Sequence, residues 1–454
     1  MTSVVTALSL LLTLAPARDS LDSLTREQAE GALGARLDAQ LQRFAEYGFW
    51  GTVLVAREGK IALLKGYGFA DARRGVRNTP ATRFEMNSIT KTFTGAAILR
   101  LYAEGRLAPG DPVERLLGAF PAAKQGATIE HLARHTSGLI VKGIDLAGDT
   151  RAAFVQSAKN TPRESPPGEQ YRYTNAGFSL LAAIIEITSG GTYEDYLRHQ
   201  LFAPAGMRSA CFRDEVGPED SLYAHGYTGT PAKLEPGPPN PYVWGTRGAG
   251  GVWATVGDMY RWVTAIEEGR IVPDDQRRIM FTAPPPPARE AYGWHEETLP
   301  DGKLLIQKGG GSDDFASHLL YYPKERVLII WATNNMRQRW RQTLNRTIPA
   351  IVFGGTSLSM PAVVQLPQPV LRGCAGYYFS AADTLEIRAA QEHLYAARNQ
   401  LGVPTEVMFF PQGDGVFTGF DPQGAKVTRL IIRGSGSQSI TVELADGRRF
   451  TAQR

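Results

Sequence analysis

The chain has 454 residues, of which 43% are hydrophobic and 21% are charged. This composition is typical of a soluble globular protein with a large buried core, and the length favours two domains. The net charge is only +4 and the basic residues are scattered, so no charged surface typical of nucleic-acid binding stands out.

The first residues predict an exported protein. An apolar run ends at Ala15-Pro16-Ala17, the small-x-small pattern that signal peptidases cleave. No Lys or Arg precedes Arg18, so the positive region that opens most signal peptides rests on the α-amino group. We expect residues 1–17 to be a cleaved signal peptide, with an uncleaved anchor or a mis-assigned start as alternatives. The run is too short for a standard membrane span.

A helix and a hairpin are predicted next. The segment "LGARLDAQLQRFAEYG" has apolar residues at helical spacing. The runs "GTVLVARE" and "KIALLKGYGFA" are typical of strands, and Gly59 between them predicts a tight turn.

A long helical region is predicted to begin near Ser88. Ser88 and Lys91 are three residues apart and would therefore share one face of a helix. Ser88 stands at the helix start, where the helix dipole and free backbone amides stabilise negative charge. The pair is either a helix cap with a surface lysine or a nucleophile with its base.

Later segments predict buried helices followed by strands. The segment "GFSLLAAIIEITSG" is apolar nearly all round and predicts a buried helix, and "TVGDMYRWVTAIEEG" predicts a second helix. Strands are predicted at "KLLIQKGGG", "FASHLLYYP" and "RVLIIWATN", before a last helix in "MRQRWRQTLNRTIPAIVFG". Strands at both ends of a helical middle favour a sandwich whose sheet is assembled from both termini.

Proline and glycine mark the loops and the end of this unit. "TGTPAKLEPGPPNPY" and "TAPPPPARE" cannot continue regular structure, and we expect these loops to border a site. "MPAVVQLPQPV" resembles an interdomain linker. Beyond it, short apolar runs alternate with turns such as "PQGDG" and "ELADGRR", which predicts a small antiparallel β domain.

Several other chemistries find little support in the sequence. No G-x-S-x-G motif occurs, so the usual nucleophile turn of α/β-hydrolases is absent. His131 and His135 are four residues apart but lack the glutamate of a zinc helix, and we interpret them as structural. Cys211 and Cys374 are too few for a disulfide scaffold or a zinc site built on cysteine pairs. We expect two unpaired buried thiols, although a single bridge stays open.

Two further segments favour the catalytic interpretation of Ser88. Tyr173-Thr174-Asn175 precedes the buried helix, and Lys308-Gly309-Gly310 ends a predicted strand. With Ser88-x-x-Lys91, these segments resemble in type and order the three active-site elements of the serine β-lactamase and penicillin-recognising enzyme superfamily. The strongest resemblance is to class C β-lactamases and their D-peptidase and esterase relatives, and it extends over about residues 35 to 352. "TIEHLARHTSGL" and "GAGGVWATVGDMYRW" also resemble this family.

The resemblance implies a role for each matched residue. Ser88 would be the nucleophile, Lys91 its base, and Tyr173 a proton carrier to the leaving group whose phenolate two nearby cations would stabilise. The residues that would bind substrate are Asn175, Lys308 and Gly310. Asn175 would also hold Lys91 in place, and the positive charge of Lys308 would lower the pKa of Lys91. The backbone N–H groups of Ser88 and Gly311 would form the oxyanion hole.

One departure from the family pattern bears on the substrate. β-Lactamases have K-T-G at the third element, whereas this chain has Lys308-Gly309-Gly310. Without the threonine hydroxyl, recognition of a substrate carboxylate should be weaker, which favours peptidase or esterase activity over efficient β-lactam hydrolysis.

The resulting expectation is an α/β protein: a class C β-lactamase-like sandwich, with an antiparallel sheet flanked by helices plus an all-helical region, followed by a small β-barrel-like domain. We predict a catalytic domain at 35–355, a linker at 356–367 and a domain at 368–454 that resembles the lipocalin-like module of many relatives.

The expected function is that of a periplasmic or secreted serine hydrolase. It would act on D-amino-acid peptides, cell-wall fragments or β-lactam-like substrates, or else as a carboxylesterase. The expected molecule is a monomer without metal or organic cofactor, nucleic-acid partner or stable membrane span. A non-catalytic protein that binds peptidoglycan or a partner is the alternative from another class.

Overall fold

A computed structural model describes the residues that form the fold. They are residues 23–122, 125–139, 149–217, 220–228, 241–282, 284–336, 340–380, 384–390, 392–398, 408–421, 426–432, 439–444 and 447–454. The predicted signal peptide and most of the predicted loop at 228–242 lie outside these ranges.

A seven-stranded antiparallel sheet organises the first part of the molecule. Its strand order is β1-β3-β2-β12-β11-β10-β9. These strands are β1 Gln28–Ala29, β2 Gly51–Arg57, β3 Lys60–Tyr67, β9 His295–Thr298, β10 Leu304–Gly311, β11 Ala316–Tyr322 and β12 Val327–Thr333. Two small sheets are formed by β4 Phe69–Asp71, β5 Val76–Arg77, β6 Phe84–Glu85, β7 Cys211–Phe212 and β8 Val252–Ala254.

Alternating side chains of the central strands enter two different cores. In β12, Ile329 and Trp331 belong to one buried cluster, whereas Leu328 and Ile330 belong to the other. This alternation follows from the two-residue period of a strand. The sheet is therefore covered on both faces, which explains why its central strands are apolar throughout.

Helices cover the two faces of the sheet. Helices α1 and α11 pack on one face, and the helical region from α2 to α10 packs on the other. The helices are α1 Gly31–Glu46, α2 Thr90–Ala103, α3 Val113–Leu117, α4 Ile129–Ala133, α5 Arg151–Asn160, α6 Asn175–Ser189, α7 Tyr193–Leu197, α8 Ala203–Ala205, α9 Val256–Glu267, α10 Asp274–Phe281, α11 Arg341–Val352 and α12 Gln368–Cys374. Shorter turns are the 3-10 helices Ser23–Thr25, Asn87–Ile89, Arg213–Glu215 and Trp244–Thr246 and the π-helix Arg198–Phe202.

A closed barrel of eight antiparallel strands follows α12. The strands are β13 Gly376–Phe379, β14 Thr384–Ala389, β15 Leu394–Arg398, β16 Met408–Gly413, β17 Val416–Asp421, β18 Lys426–Ile432, β19 Ser439–Glu443 and β20 Arg449–Gln453. The barrel has a hydrophobic core of its own. Met408 and Phe410 of β16 instead join the core beneath α1 and α11, so the barrel contacts the outer helical layer of the sandwich.

The predicted fold class is confirmed. The sheet draws β2 from the early part of the chain and β12 from the late part, and these strands pair along their full lengths. The barrel is antiparallel as predicted, but helix α12 before it was not foreseen, because Pro367 and Pro369 in its sequence favour a loop.

Two smaller expectations can also be compared with the fold. Both cysteines are free; Cys374 is buried, as expected, and Cys211 is partly exposed. Within the described residues, no helix combines the length and apolar character needed to cross a bilayer.

Candidate active site

Ser88 lies in a short 3-10 turn that leads directly into α2. Asn87 before it has a φ of +50°, a left-handed conformation that asparagine tolerates better than most residues. Gly310 of β10 passes against this turn, since a β-carbon at Gly310 would stand 2.1 Å from the carbonyl oxygen of Met86. The strand therefore reaches the turn only because position 310 has no side chain.

Lys91, one helical turn after Ser88, is completely buried. Its Nζ lies 3.0 Å from Ser88 Oγ, 2.8 Å from Asn175 Oδ1 and 2.9 Å from the carbonyl oxygen of Ala249. Burial and the neighbouring positive charge of Lys308 hold the pKa of Lys91 well below its usual value, although Glu290 partly opposes them.

The contacts of Lys91 also fix where its hydrogens point. Asn175 Oδ1 and the Ala249 carbonyl can only accept hydrogen bonds. A neutral amine has two hydrogens, and these two acceptors engage both of them. In this neutral form the lone pair of Nζ would face Ser88 Oγ, which is the arrangement a serine needs to lose its proton.

Tyr173 contacts the same hydroxyl from the other side. Its Oη donates to Ser88 Oγ at 2.9 Å, and the residue as a whole is 40% exposed. The amines of Lys91 and Lys308 lie 5.0 Å and 5.2 Å from the ring centroid. Burial of the hydroxyl nevertheless raises the pKa of Tyr173, which favours the protonated phenol before a proton is passed on.

Asn175 is the first residue of α6 and lines the cleft beside Ser88. Because Lys91 donates to its Oδ1, the amide nitrogen is the end of the side chain that remains for a bound molecule. The loop that supplies the Ala249 carbonyl is held close to α6: Gly248 has a φ of +76°, and a β-carbon there would stand 2.2 Å from the carbonyl oxygen of Phe178.

Lys308 lies in β10 with only 4% of its surface exposed. Its Nζ forms a 2.5 Å ion pair with Glu290 Oε2. Burial lowers the pKa of Lys308, and the carboxylate of Glu290 opposes that effect. Burial would raise the pKa of Glu290, but His135 and Lys308 outweigh it and keep the carboxyl ionised. The positive charge of Lys308 is therefore already balanced by the carboxylate of Glu290.

The three glycines after Lys308 leave room for neighbours from two other elements. A β-carbon at Gly309 would meet the imidazole of His318 at 3.2 Å, and one at Gly311 would meet Arg341 Nη2 at 2.8 Å. Arg341 also donates to the Gly310 carbonyl at 2.7 Å. His318 thus lies where a threonine at position 309 would project, and Arg341 covers the strand at Gly311.

Two cavities meet at Ser88. One has a volume of about 460 Å³ and the other about 290 Å³. The first is lined by Ser88, Tyr173, Glu290, His295, Gln307, Lys308, Gly309, Gly310, Gly311, His318 and Arg341. The second is lined by Glu85, Asn87, Ser88, Asn175, Pro241, Gly245, Thr246, Ala249, Gly250, Gly311, Ser312 and Asp313.

All the sequence-predicted site residues line these cavities or contact those that do. Ser88, Lys91, Tyr173 and Asn175 are joined by direct contacts, Lys308 lies over the Tyr173 ring, and Gly310 and Gly311 form the adjoining strand edge.

His135 and Glu290 also belong to the site, although the sequence did not predict them as site residues. His135 was interpreted as structural, together with His131, and Glu290 was only part of a predicted border loop. His135 stacks on Tyr173 with ring centroids 4.5 Å apart, whereas His131 accepts from the Thr128 amide in a helix cap. The family resemblance of the segment "TIEHLARHTSGL" was the available signal for His135. No group of three metal-ligating side chains was found in the described parts of the chain.

Comparisons with known proteins identify the family of the first part of the chain. The family model described as Beta-lactamase matches residues 31–350. Penicillin-binding protein 4* of Bacillus subtilis is 28% identical over 334 residues, which cover 67% of this chain and 73% of that protein. The D-aminopeptidase of Gluconobacter oxydans is 29% identical over 326 residues, covering 67% of this chain and 60% of that protein. The match thus spans less than two thirds of the D-aminopeptidase.

A solved structure shows the same fold over most of the chain. The octameric penicillin-binding protein homologue from Pyrococcus abyssi has a TM-score of 0.63 and 22% identity, covering 93% of this chain and 100% of that one. Because that homologue is octameric, the expected monomer is not supported by this neighbour. The family match over residues 31–350, together with these relatives, shows that the chain belongs to the Beta-lactamase family and is an enzyme of the serine hydrolase type.

Proposed function

We propose that the protein cleaves amide or ester substrates through an acyl-enzyme formed on Ser88. The observation that carries this proposal is the position of Ser88 Oγ, 3.0 Å from the buried amine of Lys91 and 2.9 Å from the hydroxyl of Tyr173. A base and an acid thus contact one hydroxyl at the junction of two cavities.

In the acylation step, neutral Lys91 takes the proton of Ser88 as Oγ bonds to the substrate carbonyl carbon. The electron pair of the carbonyl moves to its oxygen, and the N–H groups of Ser88 and Gly311 stabilise that charge. When the tetrahedral intermediate collapses, the bond to the leaving amine or alcohol breaks. Tyr173 gives its proton to the leaving group and recovers one from the ammonium of Lys91.

Deacylation repeats these steps with water as the nucleophile. The water loses a proton to the amine and adds to the ester carbonyl, and Ser88 Oγ leaves with a proton. The acid and the base regain their starting states, so the cycle consumes one water and requires no cofactor.

The leaving group and the acyl group would occupy different cavities. Tyr173 lines only the larger of the two, so the leaving group belongs there, next to Lys308 and Arg341. Asn175 lines the smaller cavity, where its amide can bind the acyl side of the substrate. D-Amino-acid peptides, cell-wall fragments and β-lactam-like amides are the substrates we propose, in keeping with a D-aminopeptidase and a penicillin-binding protein among the relatives.

Covalent labelling tests the proposal. A fluorophosphonate should add one phosphonyl group to the wild-type protein, located on Ser88 by peptide mass spectrometry. Ser88→Ala should take up none, and Lys91→Met should react at least about 100-fold more slowly because the hydroxyl has lost its base. An absent adduct, or equal labelling of Ser88→Ala, would instead favour a non-catalytic protein that binds peptidoglycan or a partner.

A carboxylesterase with the same site is the second candidate. It is favoured by the absence of a hydroxyl at Gly309 and by the ion pair that neutralises Lys308, since both weaken recognition of a substrate carboxylate. Turnover of a p-nitrophenyl ester, a D-Ala-D-Ala peptide and nitrocefin ranks the candidates. Hydrolysis of the ester alone would contradict the peptidase assignment.

We also propose that the protein is exported after cleavage at residue 17 and functions as a monomer with domains at 35–355 and 368–454. Amino-terminal sequencing of the protein from the producing cell should begin at Arg18.

Light scattering should give about 48 kDa, the chain mass of 49.5 kDa less the leader. A mass eight times larger would place the assembly with that of the Pyrococcus abyssi homologue.

A further inference from the structure

Glu290 connects Lys308 to two residues from elsewhere in the chain. Besides the ion pair to Lys308, its Oε1 accepts from Tyr171 Oη at 3.4 Å, and its Oε2 lies 3.7 Å from His135 Nε2. The side chain of Glu290 is 15% exposed and that of His135 is fully buried. A carboxylate with little access to water is oriented by the donors around it.

His135 is bonded to the Tyr173–Asn175 segment through both its backbone and its ring. Its carbonyl oxygen accepts from the Arg172 amide at 2.8 Å, and its Nδ1 accepts from the Thr174 amide at 3.2 Å. Since Nδ1 is an acceptor, the hydrogen of the neutral ring is on Nε2, which lies 3.7 Å from Glu290 Oε2 and makes no direct hydrogen bond. The residue has a φ of +57°, a strained conformation that these contacts over-determine.

The pair therefore joins two active-site segments that are far apart in sequence. His135 holds the segment that bears Tyr173 and Asn175, and Glu290 holds the strand lysine. We infer that His135 and Glu290, which we call the brace, are positioning residues that fix Lys308 as an ammonium group beside Lys91 and align Tyr173 with Ser88. This inference rests on the proposed acyl-enzyme function and assigns neither residue a direct contact with substrate.

The charge at the centre of the brace acts on both lysines. The carboxylate of Glu290 raises the pKa of Lys308 and, through space, that of Lys91. His135 is neutral at pH 7, because burial lowers its pKa to about 4. The other titratable or charged groups around the brace are Lys91, Tyr171, Tyr173, Arg289, Lys308 and His318.

The test is the pH dependence of fluorophosphonate labelling at Ser88. In the wild type, the labelling rate should rise with pH as Lys91 loses its proton, which gives the rising limb of the pH profile. It should fall again as Lys308 loses its proton, which gives the falling limb. Glu290→Gln removes the charge that raises both pKa values, so both limbs should move to lower pH, by on the order of one unit. The maximal rate should fall at least about tenfold, because Lys308 is no longer held.

His135→Asn separates positioning from charge. Asparagine tolerates positive φ and keeps an acceptor near the Thr174 amide, but it loses the ring that stacks on Tyr173 and the reach to Glu290. We expect a slower maximal rate with limbs displaced less than in Glu290→Gln, because no net charge is removed. Glu290→Asp, which keeps the charge but shortens the reach, should likewise lower the rate without displacing the limbs.

Glu186→Gln is the matched control. Glu186 is another poorly exposed carboxylate, 10% exposed, and it is paired with Arg151 away from both cavities. Its profile should overlay that of the wild type. The brace is refuted if the pH profile of Glu290→Gln also overlays that of the wild type. If Glu290→Gln does not fold, a full labelling rate in Glu290→Asp refutes the brace instead.

A failure of the proposed function would give a different result. If the wild type itself forms no Ser88 adduct, the acyl-enzyme proposal fails, and the brace is then tested by ¹³Cε NMR titration of the lysines. Lys308 should titrate at lower pH in Glu290→Gln than in the wild type. An unchanged titration would refute the electrostatic part of the brace without reference to any activity.

Discussion

At the scale of single residues, a directional hydrogen-bond chain fixes His318 beside the site. Trp331 Nε1 donates to Asn345 Oδ1 at 2.8 Å, and Asn345 Nδ2 lies 2.9 Å from His318 Nδ1. His318 Nε2 lies 2.9 Å from Gln307 Oε1, and Gln307 Nε2 donates to Glu297 Oε1 at 2.9 Å. An indole can only donate and a carboxylate can only accept, so the two ends determine the direction of every bond between them.

This chain explains why the third motif contains glycine where β-lactamases have threonine. His318 pairs with Gly309 across β10 and β11, and both of its ring nitrogens are already engaged. A β-carbon at Gly309 would require the imidazole to shift by a few tenths of an ångström, and its two hydrogen bonds oppose that shift. The His318 imidazole occupies the space beside Gly309, so a threonine side chain at position 309 would overlap with it.

Gly309→Thr should therefore destabilise the protein rather than create a better β-lactam site. We expect the free energy of unfolding to fall by about 2 kcal/mol, a usual cost of overpacking. His318→Ala should relieve the overlap, so the double variant should lose less than the sum of the single variants in urea unfolding. Gly110→Thr, at a position open to solvent, is the control; additive losses at 309 and 318 would contradict the prediction.

At the scale of elements, the position of α2 depends on a close approach to the segment at Tyr292 and Gly293. A β-carbon at Gly95 would stand 1.9 Å from the Tyr292 carbonyl oxygen, and one at Gly293 would stand 2.4 Å from the Lys91 carbonyl oxygen. Both contacts are with backbone, which cannot move aside as a side chain can. The helix that bears Lys91 is thus set by two missing side chains.

Gly95→Ala should be destabilising although alanine is the better helix former. The gain in helix propensity is about 1 kcal/mol, whereas displacing α2 should cost about 3 kcal/mol and slow Ser88 labelling by misplacing Lys91. Gly177→Ala in α6 is the matched comparison, because its β-carbon would meet a side-chain methyl of Thr174 at 3.3 Å. Equal unfolding midpoints for the two variants would rule out this account of α2.

At the scale of the whole molecule, the barrel contacts the sandwich away from the nucleophile. Phe410 of β16 packs against Tyr47 of the segment after α1, with ring centroids 5.2 Å apart, and Gln412 donates to Tyr47 Oη at 3.1 Å. Tyr47 also reaches the Pro361 carbonyl at 3.2 Å. The two cavities at Ser88 are lined by none of the barrel's described residues. The contacts favour a stabilising role for the barrel.

Phe410→Ala should weaken docking and leave the chemistry intact. Removing this buried ring should cost about 3 kcal/mol and separate barrel unfolding from sandwich unfolding in a thermal scan. The labelling rate of Ser88 should stay at the wild-type value. Phe417→Ala, which removes a ring from the barrel's own core, should unfold the barrel without first undocking it. A large loss of labelling in Phe410→Ala would show that the barrel shapes the site.

The protein should lose stability as the pH falls below about 6.5. Burial lowers the pKa of His135 to about 4 and that of His318 to about 3. Below about pH 6.5 both histidines therefore bind protons in the unfolded chain while they stay neutral in the folded state, which favours unfolding. Each histidine should reduce the free energy of unfolding by about 2 kcal/mol between pH 6.5 and pH 5. His318→Gln should remove about half of this dependence in urea unfolding, and an unchanged slope would contradict it.

Elements with a clear hydrophobic period and motifs with a fixed spacing could be predicted from the sequence. The β2–β3 hairpin turns at Gly59, α6 is buried, and the β10–β12 strands occur where apolar runs and turn residues predict them. The three-residue spacing between Ser88 and Lys91 requires their proximity on a helix. Local sterics and hydrophobic burial act over a few residues, so a pattern of a few residues is enough to reveal them.

The surroundings of those motifs depend on the folding of distant segments and could not be predicted from the sequence. His135 and Glu290 are 155 positions apart in the chain yet share one contact, and neither lies in a motif with a recognisable spacing. The Ala249 carbonyl that receives Lys91 belongs to the backbone, to which any residue type could contribute. The pKa shifts of Lys91 and Tyr173 follow from burial and from charges brought close by folding, which depend on distance in space rather than on distance along the chain.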